Sequence, residues 1–442
     1  MKFLFTVVLA ACLQTSLAQY PVILSQRDQA KVIDEILEDR LRQLLPALMR
    51  REGFDMWVLI ARENNEDPVL RTMLPGTWLA GRRTTMLLIF DRGAGQEPEY
   101  LAVARYDVGK VFKRAWDPDA NPDQWAQLGK VIAERKPKKI GINKAEHYGH
   151  ADGLTANDYD NLVRVLPKEM KPNLVSAEKL SVAWLESRSE KEMVLYPQIC
   201  RIAHQIIAEG FSDKVIQPGA TTTEDVVWWY REKIKELKLD TWFHTSVSIQ
   251  RNESDAITLK RPQPLVILPG DLLHVDFGIT YLRLNTDTQQ HAYILRAGET
   301  EAPEYLRKAF AKGNALQDYL TGNFKEGKTG NQILADARKQ AIDNGITPSI
   351  YTHPIGFHGH ASGTTIGMWD MQGGVPFTGD YPMHLNTAYS IELNCSVPIA
   401  EWKKDVRIQL EEDGYFDASG FRYIDGRQTE LMLVPRQIAN AK

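Results

Sequence analysis

The chain has few cysteines and no excess of either charge. Its 442 residues include three cysteines, 53 Lys plus Arg and 57 Asp plus Glu, a formal net charge of −4. So few cysteines exclude a disulfide-stapled miniprotein, and the balanced charge excludes the basic surface that binds nucleic acid electrostatically. A hydrophobic fraction of 43% is too high for a disordered chain. At this length a protein of two domains is the default expectation.

Several motifs are also missing. The sequence contains no internal repeat of solenoid period, no Gly-rich phosphate loop and no Gly-x-Ser-x-Gly. After the first residues, no apolar run is long enough to span a bilayer. Cys200 and Cys395 lie far apart beside apolar residues, and neither has a histidine in a recognisable nucleophile pattern. We therefore predict two buried free thiols rather than a disulfide, although an oxidising compartment permits one, and no serine or cysteine hydrolase chemistry.

The amino terminus has the layout of a secretory signal peptide. Lys2 carries a positive charge, Phe3 to Ala11 is apolar, and Ser16-Leu17-Ala18 supplies small residues at a cleavage site. We predict that residues 1–18 are removed and that the mature chain is exported, either periplasmic or secreted. Leu9-Ala10-Ala11-Cys12 also resembles a lipobox, which would leave a lipid anchor at Cys12, but its early position favours simple cleavage.

The remaining chain divides into two patterns. Residues 29–51 carry apolar residues at helical spacing and Gly53 follows as a stop, after which strands and helices alternate. This pattern predicts an α/β amino-terminal domain over 19–186. Beyond a charged segment, 187–442 mixes short strands with long helices and predicts an α+β domain. The predicted elements are strands at Met56–Ala61, Thr84–Phe90, Tyr100–Ala104, Lys139–Ile142, 272–279, 387–395, 405–412 and 429–435, and helices at Pro122–Glu134, 190–213, 224–237, 303–322 and 329–345.

Acids and histidines stand at four places in the second half. Asp276 and Asp287 lie eleven residues apart at strand-like positions, where two strands joined by a tight turn would bring them together. A histidine-dense loop runs from His353 to His360, Glu392 interrupts an apolar strand, and 411–413 is acidic. A buried carboxylate must be paired or metal-bound, and an oxygen-rich pocket suits divalent ions. The pattern therefore predicts a site for two metals.

The order of these residues resembles the pita-bread metallopeptidases. That family has Asp, Asp eleven residues on, His-x-x-Gly-x-x-x-His, and then two strand glutamates; it includes methionine aminopeptidase, Xaa-Pro aminopeptidase, prolidase and creatinase. The resemblance covers roughly 190–442, while 19–186 resembles the creatinase-type amino-terminal domain. The resemblance therefore implies a pita-bread catalytic domain preceded by an α/β domain, nearest to Xaa-Pro aminopeptidase and prolidase.

The resemblance also implies residue roles. The metal ligands would be Asp276, Asp287, His353, Glu392 and Glu411. Asp287 and Glu411 would bridge the two ions, Glu392 would also shuttle protons, and His360 would steady the tetrahedral intermediate. Two divalent ions (Mn, Zn or Co) would be the cofactors. The substrate would be a peptide, cut near its N-terminus by a hydroxide between the metals, and the chain would form a homodimer.

The chain departs from the family pattern at three places. Gln409 follows Val406-Arg407-Ile408 where the family has its last carboxylate ligand. Glu411 lies two residues on and shares that strand face, so we predict that it takes the role, with Glu412 on the opposite face. Asp287-Thr288-Gln289-Gln290 replaces Asp-x-Thr-Arg, and the substrate-facing histidine of the family would fall at Leu259, with no histidine nearby.

Two other functions stay open at this point. One is a creatinase-like hydrolase of a small amidino or amide compound, and the other is a non-catalytic pita-bread protein that binds peptides. The complete carboxylate set argues against the second, whereas Gln409 argues for it. Three further residues have two interpretations each, of which the first is preferred. His274 is a core histidine or supports the metal ligands, His358 is a loop residue or contacts substrate, and Glu430 is an ordinary strand residue or replaces Glu411 as a ligand.

Overall fold

The computed structural model describes residues 20–252 and 265–435. The predicted signal peptide 1–18, Cys12 and Leu259 lie outside these ranges. Among the described helices, none combines the length and the apolar character that a membrane span requires. Cys200 and Cys395 are buried free thiols, as predicted.

A six-stranded mixed sheet is the centre of the amino-terminal half. In spatial order its strands are Lys113–Arg114, Glu99–Ala102, Thr84–Phe90, Met56–Arg62, Ile140–Ile142 and Leu174–Ser176. Along Met56–Arg62, Trp57 and Leu59 enter one hydrophobic cluster, and Val58 and Ile60 enter another. Because side chains alternate along a strand, the two clusters lie on opposite faces, and helical residues complete both. This arrangement is the predicted α/β architecture.

The helices around this sheet include both helical segments predicted for this half, 29–51 and Pro122–Glu134, and three more that were not predicted. They are Gln26–Asp39, Leu45–Glu52, Pro68–Thr72, Gln124–Arg135, Ala156–Val165 and Glu178–Glu186. The predicted helix 29–51 is interrupted by a π-helical turn at Arg40–Leu44. Gly53 ends the second segment with φ 71°, a left-handed conformation that glycine adopts without a steric cost.

Short sheets and long helices make up the described part of the second half. The first sheet has the strand order Met432–Val434, Thr288–Ile294, Leu272–Phe277 and Ser246–Gln250. The second has the order Thr347–Ile350, Leu393–Ile399 and Lys404–Leu410. The third has the order His353–Pro354, Thr387–Ser390, Asp413–Asp417 and Gly420–Tyr423. A ribbon pairs Thr280–Tyr281 with Leu284–Asn285. The helices are Glu190–Gly210, Thr223–Glu236, Glu304–Thr321 and Gly330–Asp343. The predicted domain boundary at 186/187 falls between two helices and stays a prediction.

Two predicted strand features are wrong in detail. The predicted strand 387–395 is two strands in different sheets, because the chain leaves one sheet after Ser390 and enters the next at Leu393. Glu392 lies at this crossing rather than inside a continuous strand. Asp287 precedes the strand Thr288–Ile294, so the residue that pairs with Asp276 is Gln289.

Candidate metal centre

The side chains predicted as ligands meet in one cluster. They form three overlapping groups, in each of which one ligand atom per residue lies within 4.8 Å of the others: Asp276, Asp287 and Glu411; His353, Glu392 and Glu411; and Asp287, His353 and His360. His353 Nε2 lies 3.7 Å from both Asp287 Oδ2 and Glu411 Oε1. Asp287, His353 and Glu411 each belong to two groups, so they lie at the centre of the cluster.

The cluster forms where three sheets meet. Asp276 lies on the strand Leu272–Phe277, and Asp287 comes directly before its antiparallel neighbour Thr288–Ile294. His353 pairs with Ser390 in a second sheet, and Glu392 follows on the crossing to the third. Glu411 comes directly after a strand of that third sheet. Residues distant in sequence are therefore brought together by strand ends, which are positioned by the surrounding ladders.

The four carboxyl groups lie close to one another, with Asp287 and Glu411 buried and Asp276 and Glu392 half-buried. Burial, and then the nearby Glu411 carboxyl, raise the pKa of Asp276, Asp287 and Glu392 above the usual range. Burial also raises the pKa of Glu411. Like charges in a pocket of low dielectric disfavour joint ionisation. A divalent cation would remove this conflict by offsetting the negative charge.

Three buried atoms of the cluster have no hydrogen-bond partner. They are Asp276 Oδ1, Asp287 Oδ1 and His353 Nε2. His353 Nδ1 donates to Pro354 O at 3.0 Å, and this bond leaves Nε2 as the unprotonated nitrogen of a neutral imidazole. Such a histidine, hydrogen-bonded through one nitrogen and bare at the other, is the usual form of a metal ligand. Four carboxylates and one imidazole fit two hard or borderline divalent ions.

Gln289 and Ser390 hold the glutamates of the cluster. Ser390 Oγ donates to Glu411 Oε1 at 2.7 Å, and Gln289 Nε2 donates to Glu411 Oε2 at 2.7 Å and to Glu392 Oε1 at 2.9 Å. His274 Nε2 bonds to Gln289 Oε1 at 2.8 Å, so His274 is a hydrogen-bonded core histidine. In the sequence, Gln289 differs from the family pattern, and nothing else distinguishes it. No local pattern predicts that its amide reaches two carboxylates.

The structure places Glu411, and not its acidic neighbour, in the cluster. Glu411 is 1% exposed and lies among the other carboxyl groups. Glu412 bonds instead to His204 Nε2 at 2.7 Å and accepts from Gln290 Nε2 at 2.7 Å. Glu430 is exposed. The predicted opposite orientation of Glu412 is therefore confirmed, and the role of Glu411 as a ligand stays a prediction that the geometry permits.

Glu412→Gln is expected to destabilise the protein, although its side chain points away from the cluster. Burial alone would lower the pKa of His204, but Glu412 and Asp425 raise it to about 10. The pKa of His204 is higher in the folded protein than in the unfolded chain, where it is near 6.5. Its ion pair therefore stabilises the fold fully below pH 6.5, and this stabilisation is lost as the pH rises to about 10. We expect the variant to lose about 1.5–3 kcal/mol at pH 6 and less at pH 10, as measured by denaturant unfolding. Equal losses at both pH values would contradict this ion pair.

The two remaining loop histidines have different surroundings. The His360 ring centroid lies 4.7 Å from that of His353 and 5.0 Å from that of Trp242, and His360 is exposed. His358 stacks on His150, with ring centroids 4.1 Å apart. His360 therefore lies at the mouth of the cluster, whereas His358 contacts the amino-terminal half, in agreement with its interpretation as a loop residue.

Comparisons with known proteins agree with this geometry. Residues 196–415 match the sequence model of Metallopeptidase family M24. None of the curated proteins matches the chain. The fold is shared at 17% identity with an X-Pro aminopeptidase from Thermotoga maritima, covering 88% of this chain and 100% of that one with a TM-score of 0.62. The predicted pita-bread fold with an amino-terminal α/β sheet is therefore confirmed.

Two further solved structures show how widely this fold is used. An Xaa-Pro dipeptidase from Bacillus anthracis is 15% identical, with 92% of this chain and 100% of that chain covered and a TM-score of 0.54. The N-terminal domain of FACT complex subunit SPT16 from Eremothecium gossypii is 13% identical, with 93% and 100% covered and a TM-score of 0.58. At these identities the likeness shows the fold alone, and the activity has to be argued from the site.

Proposed function

Because the chain belongs to metallopeptidase family M24, we propose that it is a dinuclear metallopeptidase that cuts peptides near their N-terminus. The observation that carries this proposal is the cluster of four buried or half-buried carboxyl groups around one bare imidazole nitrogen. A module that only bound peptides would gain nothing from burying mutually repelling carboxyl groups. Two of the solved structures that share the fold are an X-Pro aminopeptidase and an Xaa-Pro dipeptidase, so Xaa-Pro peptides are the proposed substrates.

The cluster offers two adjacent metal positions. Asp276, Asp287 and Glu411 would hold one ion; Asp287, His353, Glu392 and Glu411 would hold the other. Bound there, divalent ions supply Lewis-acid polarisation of a carbonyl group and activation of water at neutral pH. The presence of Asp287 and Glu411 in both sets makes them the proposed bridges.

The chain's own groups would move the proton and stabilise the developing charge. The Glu392 carboxyl lies in the cluster beside His353 and Glu411, where it would accept a proton from the attacking water and return it to the leaving amine. Although His360 is exposed at the mouth of the cluster, partial desolvation of its ring, followed by the neighbouring His353 and His150, lowers its pKa to about 4, so the ring is neutral at pH 7. A neutral imidazole still has one N–H group, which would donate to the developing oxyanion.

His360→Ala is expected to lower turnover by roughly 10²–10³-fold, the usual cost of losing one oxyanion donor. Metal content should stay at the wild-type value, because the other members of the cluster remain. Steady-state kinetics and elemental analysis of the same preparation test both points. His358→Ala is the matched control from the same loop and should lower turnover far less. Loss of metal in His360→Ala would identify His360 as a ligand instead.

The proposed activity can be tested with a substrate panel. Wild-type protein loaded with Mn²⁺, Zn²⁺ or Co²⁺ is incubated with Xaa-Pro dipeptides, longer Xaa-Pro peptides, matched peptides without proline and a small amidino compound. We expect cleavage of a proline-containing peptide that stops on chelation and returns with added metal. Hydrolysis of the amidino compound alone would favour the creatinase-like function, and no hydrolysis of any compound would contradict the proposal.

A further inference from the structure

Gln289 joins two ligand-bearing segments through its backbone. It is the pairing partner of Asp276 in the ladder between Leu272–Phe277 and Thr288–Ile294. On its other side, Gln289 N donates to Glu411 O at 3.0 Å and Glu411 N donates to Gln289 O at 3.2 Å. Asp276 and Glu411 therefore take their relative positions from a single residue, which is 4% exposed.

The side chain of Gln289 is committed to the same cluster. An amide nitrogen has two hydrogens, and these point to Glu392 Oε1 at 2.9 Å and Glu411 Oε2 at 2.7 Å. The amide oxygen accepts from His274 Nε2 at 2.8 Å. An ionised carboxylate can accept hydrogen bonds but cannot donate them. The amide therefore has one orientation that satisfies all three partners. His274 is held in turn by Ser248 Oγ, 3.3 Å from its Nδ1.

We propose that Gln289 is the positioning residue of the metal centre: its amide holds the Glu392 and Glu411 carboxylates side by side so that their other lone pairs converge on the metals. The inference rests on the proposed function, because it presumes that these glutamates bind metal. Two carboxylates in a buried pocket repel each other. A neutral double donor reduces that repulsion, whereas a lysine or arginine would add a positive charge that competes with the metal ions.

The neighbouring Gln290 provides a matched control. It is also 4% exposed, and its Nε2 donates to Glu412 Oε1 at 2.7 Å. Glu412 points away from the cluster, so Gln290 makes the same type of bond without contacting a proposed ligand. A substitution of each glutamine by methionine removes the donors at similar side-chain length. Any effect common to both variants reports on folding, and an effect limited to Gln289 reports on the metal centre.

The experiment measures Mn²⁺ dissociation constants of the full chain by competition with a chelating dye, and the melting temperature of the metal-free protein. Gln289→Met should weaken at least one site by about 10–100-fold, the range for outer-shell partners of metal ligands. Gln290→Met should keep the wild-type constants, although both variants should melt earlier without metal. Gln289→Leu, which also removes both donors, should weaken binding in the same direction and serves if the methionine variant does not fold.

The outcomes separate this inference from the proposed function. Wild-type constants in both Gln289 variants would overturn the positioning role while leaving a metal-binding protein. Equal weakening in Gln290→Met would overturn it as well, because the effect would then come from general loss of packing. A wild-type chain that takes up no Mn²⁺, Zn²⁺ or Co²⁺ would overturn the proposed function first, and this inference with it.

Discussion

Glu411→Gln is expected to lower peptide hydrolysis by roughly 10³-fold or more, beyond the 10–100-fold cost of altering an outer-shell partner. Both carboxylate oxygens of Glu411 accept hydrogen bonds, from Ser390 Oγ and from Gln289 Nε2. A glutamine at this position would turn an N–H group toward one of these donors, and it would also remove the negative charge that offsets two cations. Steady-state kinetics with a cleaved Xaa-Pro peptide and a parallel metal titration measure the effect.

Two control variants limit the interpretation of that result. Gln409→Ala leaves the bond from the Gln409 backbone N–H to His291 Nε2 in place, so its cost should be small. Glu430→Gln makes the same chemical change on an exposed carboxylate and should retain full activity. Full activity in Glu411→Gln, or a comparable loss in Gln409→Ala, would remove Glu411 from the proposed ligand set and leave the site one anion short.

Asp287→Ala is expected to empty both metal positions together. Asp287 is 3% exposed and belongs to two of the three ligand groups, so neither proposed ion keeps a complete set without it. Burial raises the pKa of Asp287, and the other carboxyl groups of the cluster raise it further. Removing Asp287 therefore relieves repulsion between carboxyl groups in the metal-free protein. The unfolding free energy of the metal-free variant should not fall below that of the wild type. Elemental analysis after dialysis measures occupancy, and denaturant unfolding of the metal-free protein checks that the variant is folded.

Asp405→Ala is the matched control, since Asp405 is exposed on the strand that leads to Glu411. It should bind metal like the wild type. If Asp287→Ala kept full occupancy of both positions, Asp287 would not be a bridge. If it lost one ion and kept the other tightly bound, the two positions would be independent and the bridging arrangement would be wrong.

The residues of the cluster could be predicted because their order and spacing resemble those of the pita-bread metallopeptidases. Asp276 lies on a strand and Asp287 directly precedes the neighbouring one. His353 and Glu392 stand in strand-like segments, where a carboxylate out of water has to be paired or bound to a metal. The choice of Glu411 over Gln409 followed from charge and strand alternation. The structure brings all five predicted ligands together. The order of the motifs along the chain predicted this cluster, whereas no single motif would have been enough.

The supporting contacts could not be predicted, because they join residues far apart in the chain. The three hydrogen bonds of Gln289 depend on where two other strands end. The pairing of Glu412 with His204 links residues 208 positions apart. The crossing from one sheet to the next between Ser390 and Leu393 could not be predicted from the sequence. Strand period and hydrophobicity are the same on both sides of it. Local pattern therefore predicts elements, while the sheet crossings decide which polar groups meet.

The most direct test of the central claim is the number of divalent ions that the wild-type chain binds. Purified protein is stripped with a chelator, dialysed against Mn²⁺, Zn²⁺ or Co²⁺ and analysed for metal per chain, with Asp287→Ala treated in parallel. The dinuclear arrangement predicts saturation at about two ions per chain, as in two-metal hydrolases, and loss of both in the variant. No saturable binding of any of the three metals, or binding that Asp287→Ala leaves unchanged, would contradict it.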